Sequence, residues 1–352
     1  MTVIDADCHV IENERTWSYM EGEDKKYRPI RIQMDEELQR PGNQQWLIDG
    51  RLTLQQSDGG LRTSEESREF ISVDARLEHM DELGVDIQVL FPTMFLRPLT
   101  ENPAAERAIY TSYNRWLADI WEKGAGRLRW AVAVPTLSIS EAIPEMEWAK
   151  QHGACAVFMR GYEAGDRHLG DPYFFPLYQA AEALDMPICP HAGNSSFTME
   201  KFMAVAGGLN FFKSPVIDAF LSIVKSKIHA EFPKLRFGFI ETSSQWVPWA
   251  MHSLGRADPS LSRPGAGLLG QLRAPDDLLP ENRLYVACQT NDDIPYVLRY
   301  AGADNLVIGS DYGHNDTAAE ITALRHLREI GGLDETIVDK IMDANPTALY
   351  AL

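Results

Sequence analysis

The chain has 352 residues, 45% of them hydrophobic and 24% charged, a composition typical of folded globular proteins and not of disordered ones. Its 33 Lys and Arg against 51 Asp and Glu give a net charge of −18, so phosphate-driven binding of nucleic acid has little electrostatic support. The longest apolar stretches fall short of the roughly 18 residues that a spanning helix needs, and the N-terminus does not resemble a secretory signal. We therefore expect a soluble cytoplasmic protein without a nucleic-acid or membrane partner.

Short apolar runs bounded by turn residues recur along the chain, and each is followed by a longer segment with helical periodicity. Eight of these runs are predicted as strands: Val3–Asp7, Asp86–Phe91, Leu128–Val134, Ala154–Met159, Met186–Pro190, Leu235–Ile240, Leu284–Cys288 and Leu306–Gly309. Helices are predicted near residues 74–84, 103–123, 139–152, 173–184, 211–231, 245–255, 291–302, 315–329 and 334–350. This alternation is typical of an α/β protein that folds as one (β/α)8 TIM barrel over residues 1–352.

Two segments interrupt the alternation. Residues 12–72 follow the first strand directly and are polar, and Ala257–Asn282 is rich in Pro and Gly. Long loops in compact domains usually have a function. We expect the insertion at 12–72 to act as a lid over the pocket or as an interface, with a homodimer as the default assembly.

Side chains capable of chemistry cluster at the carboxyl ends of the predicted strands, where TIM barrels carry their active sites. These residues are Asp7, His9, Arg160, His191, Glu241, Asp311, Tyr312 and His314. Because side chains alternate along a strand, Asp7 and His9 share one face. A single histidine is often a packed core residue and a single carboxylate often a helix N-cap, but the recurrence at matching strand ends favours a metal site. Mixed nitrogen and oxygen ligands suit zinc, manganese or iron.

The ordered set of motifs resembles the amidohydrolase superfamily over nearly the whole chain. The motifs are Ile4-Asp-Ala-Asp-Cys-His-Val-Ile-Glu12, Leu83-Gly-Val-Asp-Ile-Gln-Val-Leu-Phe-Pro92, Tyr113-Asn-Arg-Trp-Leu117, Asp171-Pro-Tyr-Phe-Phe-Pro176, Pro190-His-Ala-Gly193, Phe232-Pro-Lys-Leu-Arg-Phe-Gly-Phe-Ile-Glu241 and Gly309-Ser-Asp-Tyr312. They are most similar to the amidohydrolase-related branch, which includes aminocarboxymuconate-semialdehyde and resorcylate-type decarboxylases. The resemblance implies a metal-dependent TIM-barrel enzyme.

The resemblance also implies roles for individual residues. The family's pair of first-strand histidines falls on Asp7 and His9, its strand-five ligand on His191 and its strand-eight aspartate on Asp311. Asp7 thus replaces one imidazole ligand with a carboxylate, and two further positions depart from the family pattern. Arg160 stands where binuclear hydrolases often have a carbamate-forming lysine, and Glu241 replaces the strand-six histidine that transfers protons in the decarboxylases.

We expect a metal-dependent hydrolase that acts on an ester, thioester or amide of a small carboxylic-acid-type substrate, with one or two divalent ions per chain. Asp311 is then both a ligand and the group that orients water and accepts its proton. Glu241 is a ligand of a second ion or a proton shuttle, and His314 is a further catalytic candidate.

Three further residues are candidate substrate contacts, namely Arg160, His168 and Tyr312. Two alternatives stay open. The first is a metal-dependent, non-oxidative decarboxylase of an aromatic or enoic acid, and the second is an inert barrel that serves as a binding subunit.

Overall fold

A computed structural model describes residues 1–33, 40–193, 196–206, 212–257 and 277–352. The strands are β1 (Ile4–Val10), β2 (Ile30–Ile32), β3 (Asn43–Ile48), β4 (Arg51–Gln56), β5 (Ile87–Pro92), β6 (Leu128–Ala133), β7 (Ala154–Arg160), β8 (Tyr162–Glu163), β9 (Arg167–His168), β10 (Ile188–His191), β11 (Phe237–Phe239), β12 (Leu284–Cys288) and β13 (Leu306–Ile308). The helices are α1 (Glu65–Arg68), α2 (Val73–Leu83), α3 (Pro103–Lys123), α4 (Ile139–Gln151), α5 (Phe175–Ala183), α6 (Phe197–Ala206), α7 (Ser214–Lys225), α8 (Ile228–Glu231), α9 (Val247–Ala257), α10 (Leu278–Glu281), α11 (Ile294–Ala301), α12 (Ala323–Leu327), α13 (Glu335–Asp339) and α14 (Asn345–Tyr350).

Among these residues, eight parallel strands form the sheet order β1-β5-β6-β7-β10-β11-β12-β13. The first and last strands meet beyond β13, where the His9 amide donates to the Tyr312 carbonyl at 3.0 Å and the Asp311 amide to the Asp7 carbonyl at 2.9 Å. The predicted TIM barrel is therefore confirmed. Its strands read as continuous apolar runs because helices cover the sheet on the outside and side chains fill the inside.

Several predicted helices are shorter than expected or are broken. The segment 211–231 divides into α7 and α8 at Lys227, which has a left-handed backbone with φ 53°. Within 315–329 only α12 is helical, and the C-terminal segment contains a π-helical turn at Lys340–Ala344 between α13 and α14. Periodicity predicted where the helices lie, whereas single-residue backbone conformations decide where they end.

The insertion at 12–72 contains a small antiparallel sheet, β2-β3-β4, which the sequence analysis did not predict. Its β3–β4 hairpin turns at Asp49 and Gly50, both with positive φ, and Trp46 from the hairpin is fully buried. Most of the second interruption, residues 258–276, lies outside the described residues. No helix in the described part of the chain is long and apolar enough to cross a membrane.

Candidate metal centre

Six buried polar side chains meet at the mouth of the barrel, and all were singled out from the sequence. This metal cluster consists of Asp7, His9, His191, Glu241, Asp311 and His314, each no more than 8% exposed. β1 supplies the first two, β10 ends at the third, and the others lie in the loops that follow β11 and β13. The carboxyl ends of the strands thus bring together side chains that are more than 300 residues apart in the chain.

His9 and His191 both direct Nε2 toward the centre of the metal cluster and Nδ1 toward a backbone carbonyl. His9 Nδ1 lies 3.0 Å from the Pro92 carbonyl and His191 Nδ1 lies 3.0 Å from the Ala192 carbonyl. Because a carbonyl oxygen can only accept, both Nδ1 atoms donate, and both Nε2 atoms face the cluster.

Both Nε2 atoms face carboxylate oxygens. Asp7 Oδ1 lies 3.2 Å from His191 Nε2 and 3.5 Å from His9 Nε2, and Asp311 Oδ1 lies 3.3 Å from His9 Nε2. Acceptors that face one another at these distances repel unless a proton or a metal ion lies between them. The arrangement therefore suits a bound cation.

Buried atoms without aligned hydrogen bonds lead to the same conclusion. In the described part of the chain these include His9 Nε2 and both carboxylate oxygens of Glu241 and of Asp311. An unsatisfied buried polar atom is costly, so such atoms usually have a ligand or water as partner. Two overlapping sets, Asp7/His9/His191/Glu241 and His9/Glu241/Asp311/His314, each offer ligand atoms within 4.8 Å of one another.

His314 has a different environment from the other two histidines. Its ring stacks on that of His9 with centroids 3.9 Å apart, and its Nδ1 lies 2.7 Å from Asp311 Oδ1. Its Nε2 lies 2.8 Å from the hydroxyl of Thr93, which itself donates to the Val10 carbonyl. Burial alone would lower the pKa of His314, but the neighbouring Asp311 carboxylate raises that pKa to about 9. Nε2 therefore donates to Thr93, and Nδ1 forms an ion pair with Asp311.

Burial and the neighbouring charges together shift the pKa values of the side chains in the cluster. Burial and the charge of His314 lower the pKa of His9 to about 3. Burial alone would raise the pKa of Asp7, but His191 and His9 hold that pKa well below its usual range. Burial raises the pKa of Glu241, and nearby carboxylates raise it further. The site thus separates an ionised carboxylate at Asp7 from a carboxyl group at Glu241 that resists ionisation.

Backbone geometry at the cluster is strained where it aims the carboxyl groups. Glu241 and Asp311 have left-handed backbones, with φ of 59° and 52°. Non-glycine residues in this region cost about 1–3 kcal/mol, and they are concentrated at functional sites. Gly309 permits the close approach of the last strand, because a Cβ there would lie 2.2 Å from Asp7 Cβ.

Two predicted substrate contacts lie on the outside of the cluster. His168 is exposed, and its Nδ1 lies 2.8 Å from Asp218 Oδ2. The hydroxyl of Tyr312 lies 2.5 Å from Ser67 Oγ and 2.6 Å from His79 Nδ1, which ties β13 to the first two helices. Among the described contacts, neither side chain reaches the metal cluster.

Arg160, the third predicted contact, lies at the end of β7 beside His191, but it is engaged inside the protein. Its Nη2 donates to Glu163 Oε2 at 2.5 Å and its Nη1 to the Tyr110 hydroxyl at 3.2 Å. Its pKa is raised by Glu163 and Tyr110 despite burial. The guanidinium is thus directed at protein partners.

A cavity of about 140 Å³ opens beside His314 and contains residues that the sequence analysis missed. Its lining includes Thr93 and Arg97 from the loop after β5, Gln55 from the β3–β4 hairpin, and Asp316. The sequence held two usable signals for this region. An Asp-Gly pair between alternating apolar residues predicts a hairpin, and a strand-end loop in a barrel is expected to contact ligand.

Fold and site together define a TIM barrel with a buried metal-binding cluster at the carboxyl ends of its strands. The sequence model of the amidohydrolase family matches residues 4–352, so the chain belongs to that family. No curated protein matches the chain.

Solved structures with the same fold are distant in sequence. An amidohydrolase from Mycobacterium avium subsp. paratuberculosis K-10 is 20% identical with a TM-score of 0.79, over 99% of both chains. The 5-carboxyvanillate decarboxylase from Novosphingobium aromaticivorans DSM 12444, complexed with manganese and 4-hydroxy-3-methoxy-5-nitrobenzoic acid, is 18% identical with a TM-score of 0.70, over 100% of this chain and 96% of that one. The 2,6-dihydroxybenzoate decarboxylase from Rhizobium is 17% identical with a TM-score of 0.67, over 100% of this chain and 99% of that one. At these identities the likeness establishes the fold.

Proposed function

We propose that the protein is a metal-dependent decarboxylase that acts on a small aromatic or enoic acid. The observation that carries this proposal is the position of Glu241. Its Oε2 lies 3.4 Å from His191 Nδ1, on the ring side opposite to the Nε2 that faces Asp7. Glu241 therefore lies beside His191 as a carboxyl group without an aligned hydrogen bond. A carboxyl group in this position is suited to donate a proton.

In this proposal Asp7, His9, His191 and Asp311 hold one divalent ion. When bound, the ion supplies a Lewis acid that orients the substrate carboxylate and neutralises charge. Manganese is the ion to load first, because the carboxyvanillate decarboxylase was crystallised with it. The expected cytoplasmic location and homodimer stay predictions.

The protein's own side chains then transfer one proton to the substrate. The bond between the substrate carbon and its carboxyl group breaks, carbon dioxide leaves, and the electron pair stays on the carbon. Glu241 gives its proton to that carbon. Asp316, which contacts Glu241 and is exposed, offers the path by which solvent restores the proton. His314 holds Asp311 in place through its Nδ1.

Hydrolysis, which the sequence analysis favoured, is the second candidate. Its support is the second ligand set, His9/Glu241/Asp311/His314, which would hold another ion once His314 gives up a proton. The named activities of the carboxyvanillate and dihydroxybenzoate relatives are decarboxylations, which supports the first candidate. An inert barrel is disfavoured by the cost of keeping so many buried polar atoms without partners.

The deciding experiment uses protein loaded with manganese, zinc or iron(II) and two substrate panels. The first panel contains hydroxybenzoates and short enoic acids, with carbon dioxide release as the measurement. The second contains aryl esters, thioesters and anilides in water enriched with ¹⁸O. Carbon dioxide release that depends on the metal supports the decarboxylase. Incorporation of ¹⁸O into an acid product, without carbon dioxide release, replaces it with the hydrolase.

A further inference from the structure

Arg97 is the one arginine or lysine among the described residues that line the cavity beside His314. It is half-buried, and its guanidinium has no hydrogen-bond or ion-pair partner in the described part of the chain. The other described polar residues of the lining are mostly neutral amides and hydroxyls, including Asn43, Gln55 and Ser57. Arg97 therefore lines the same cavity as His314 of the metal cluster, with Asp316 as the one carboxylate among the described lining residues.

The loop that carries Arg97 is held at its start. Residues Met94–Leu96 form one 3-10 turn after β5. The buried Glu12 carboxylate accepts the amides of Thr93 at 3.0 Å and Met94 at 2.9 Å.

The same loop is held at its end. Arg160 Nη1 donates to the carbonyls of Phe95 at 3.2 Å and of Arg97 at 3.3 Å. Gly193 lets the loop pack closely, because a Cβ there would lie 2.4 Å from the Leu96 carbonyl oxygen. The Glu163 carboxylate in turn fixes Arg160, because it accepts from Nη2 of Arg160 at 2.5 Å and from the Arg160 backbone amide at 2.8 Å. The backbone of Arg97 is thus fixed before any ligand arrives, which lowers the entropy cost of binding.

We propose that Arg97 binds a second anionic group of the substrate, with Arg160 and Glu163 as positioning residues. This rests on the proposed function, in which the metal cluster takes the first carboxylate. The substrate class is then a compact dianion, such as a dicarboxylic acid, because a guanidinium pairs with a carboxylate through two parallel hydrogen bonds. A cavity of about 140 Å³ limits the molecule to one ring or a short chain, since a protein cavity of roughly 150 Å³ accommodates benzene.

The test compares probes that differ only in the second carboxylate. Isophthalate is paired with 3-methylbenzoate and fumarate with crotonate, and calorimetry measures their dissociation constants on manganese-loaded protein. We expect the dianion of at least one pair to bind about 10- to 100-fold more tightly, the ratio that one charged hydrogen-bonded contact gives. Arg97→Gln should remove this preference while monoanion affinity stays within about twofold. Arg97→Lys should retain part of it. An equal affinity for both members of both pairs, or an unchanged preference in Arg97→Gln, would overturn the inference.

Arg160→Lys tests the positioning role. A lysine keeps the positive charge beside Glu163. It lacks the planar guanidinium that donates to Glu163 and to two backbone carbonyls at once. We expect it to weaken dianion binding several-fold with monoanion affinity and metal content unchanged. Equal loss for both probes would mark a structural role and exclude positioning.

The inference and the proposed function fail in different ways. If the protein holds no metal and neither monoanion binds, the proposed function fails. If metal and monoanions bind and acids are decarboxylated without any dianion preference, only the inference fails.

Discussion

Two clusters of buried polar side chains lie at the mouth of this barrel, and they differ in whether their atoms find protein partners. In the metal cluster, the Nε2 atoms of His9 and His191 face carboxylates, and Glu241 has no aligned hydrogen bond. In the second cluster, here called the arginine network, Arg160 is paired with Glu163 and Tyr110.

The arginine network is satisfied at nearly every other atom as well. Thr136 donates to Glu163 Oε2 at 2.9 Å, and the Leu137 amide donates to Glu106 Oε2 at 2.9 Å. Only Nε of Arg160 lacks a partner among the described contacts of its side chain. Both clusters are equally buried, so burial alone does not identify a functional site. The unmet bonding capacity distinguishes a site built for a ligand from one that holds the fold together.

The largest effect should come from removing an inner ligand of the metal cluster. We expect His191→Ala and Asp7→Ala each to abolish activity and to lower metal affinity by more than about 100-fold, because even outer partners of ligands contribute 10- to 100-fold. Circular dichroism should show an intact barrel, and elemental analysis measures the metal. His168→Ala, an exposed histidine paired outside the cluster, is the control. Full occupancy with near-normal turnover would remove the residue from the ligand set.

Glu241→Gln separates the two candidate reactions. If Glu241 transfers the proton in decarboxylation, we expect turnover to fall about 10²–10⁴-fold with metal content unchanged. If it binds a second metal, the stoichiometry should fall toward one ion per chain, because an amide is a poorer ligand for a hard cation. Metal content and rate are measured on the same sample. Unaltered values of both would leave Glu241 as a packing residue only.

Breaking the arginine network should affect stability and leave the metal alone. Glu163→Ala leaves Arg160 buried without its carboxylate, so we expect the free energy of unfolding to fall by about 3–5 kcal/mol. Glu101→Ala, which breaks an exposed ion pair with Arg51, should cost under about 1 kcal/mol. Chemical denaturation gives both values, and metal titration should show equal affinity. A weakened metal site in Glu163→Ala would erase the contrast between the clusters.

The contrast between the clusters also explains what could be predicted from sequence. The ligands follow from strand ends, because parallel strands of one barrel place their carboxyl termini on one rim. The direction of a side chain beyond the rim depends on the local backbone and on partners distant in sequence. Tyr312 follows Asp311 with its φ of 52° and turns toward Ser67, and Arg160 turns to Glu163. The strand pattern predicts neither of these two side-chain directions.

Arg97 was missed for a related reason. The segment Met94-Phe-Leu-Arg97 looks like an apolar loop, and its importance arises from contacts with Glu12, Arg160 and Gly193 that lie far away in the chain. The β3–β4 hairpin, in contrast, was predictable from its Asp49-Gly50 turn. Local turn chemistry is readable from the sequence, whereas tertiary positioning of a loop is not.

Glu106 lies beside Arg160 and Glu163 in the arginine network and provides a pH test of that network. Burial raises its pKa from the usual 4.5 to about 8, so the folded protein keeps a proton that the unfolded chain releases. Stability should therefore be greatest below about pH 4.5 with respect to this group, fall as pH rises toward 8, and then level off. Glu106→Gln should remove a decline on the order of 4 kcal/mol, since each pKa unit is about 1.4 kcal/mol. Denaturation from pH 5 to 8.5 measures it, with Glu101→Gln as control. Identical slopes in Glu106→Gln and the parent protein would contradict it.

The smallest effect should come from the hairpin that lines the cavity. Gln55 donates to Glu12 at 2.8 Å and accepts from Trp46 Nε1 at 2.9 Å, so it joins the insertion to the loop that carries Arg97. We expect Gln55→Ala to cost about 1–2 kcal/mol of hairpin docking and to raise KM severalfold, with kcat and metal content little changed. Gln44→Ala is the control, because Gln44 lies opposite Gln55 on the neighbouring strand β3 and makes one long hydrogen bond of 3.4 Å. Steady-state kinetics and light scattering on both variants distinguish a lid from an interface. A changed KM with constant mass supports the lid, and a loss of dimer supports the interface. If neither changes, residues 12–72 have neither role.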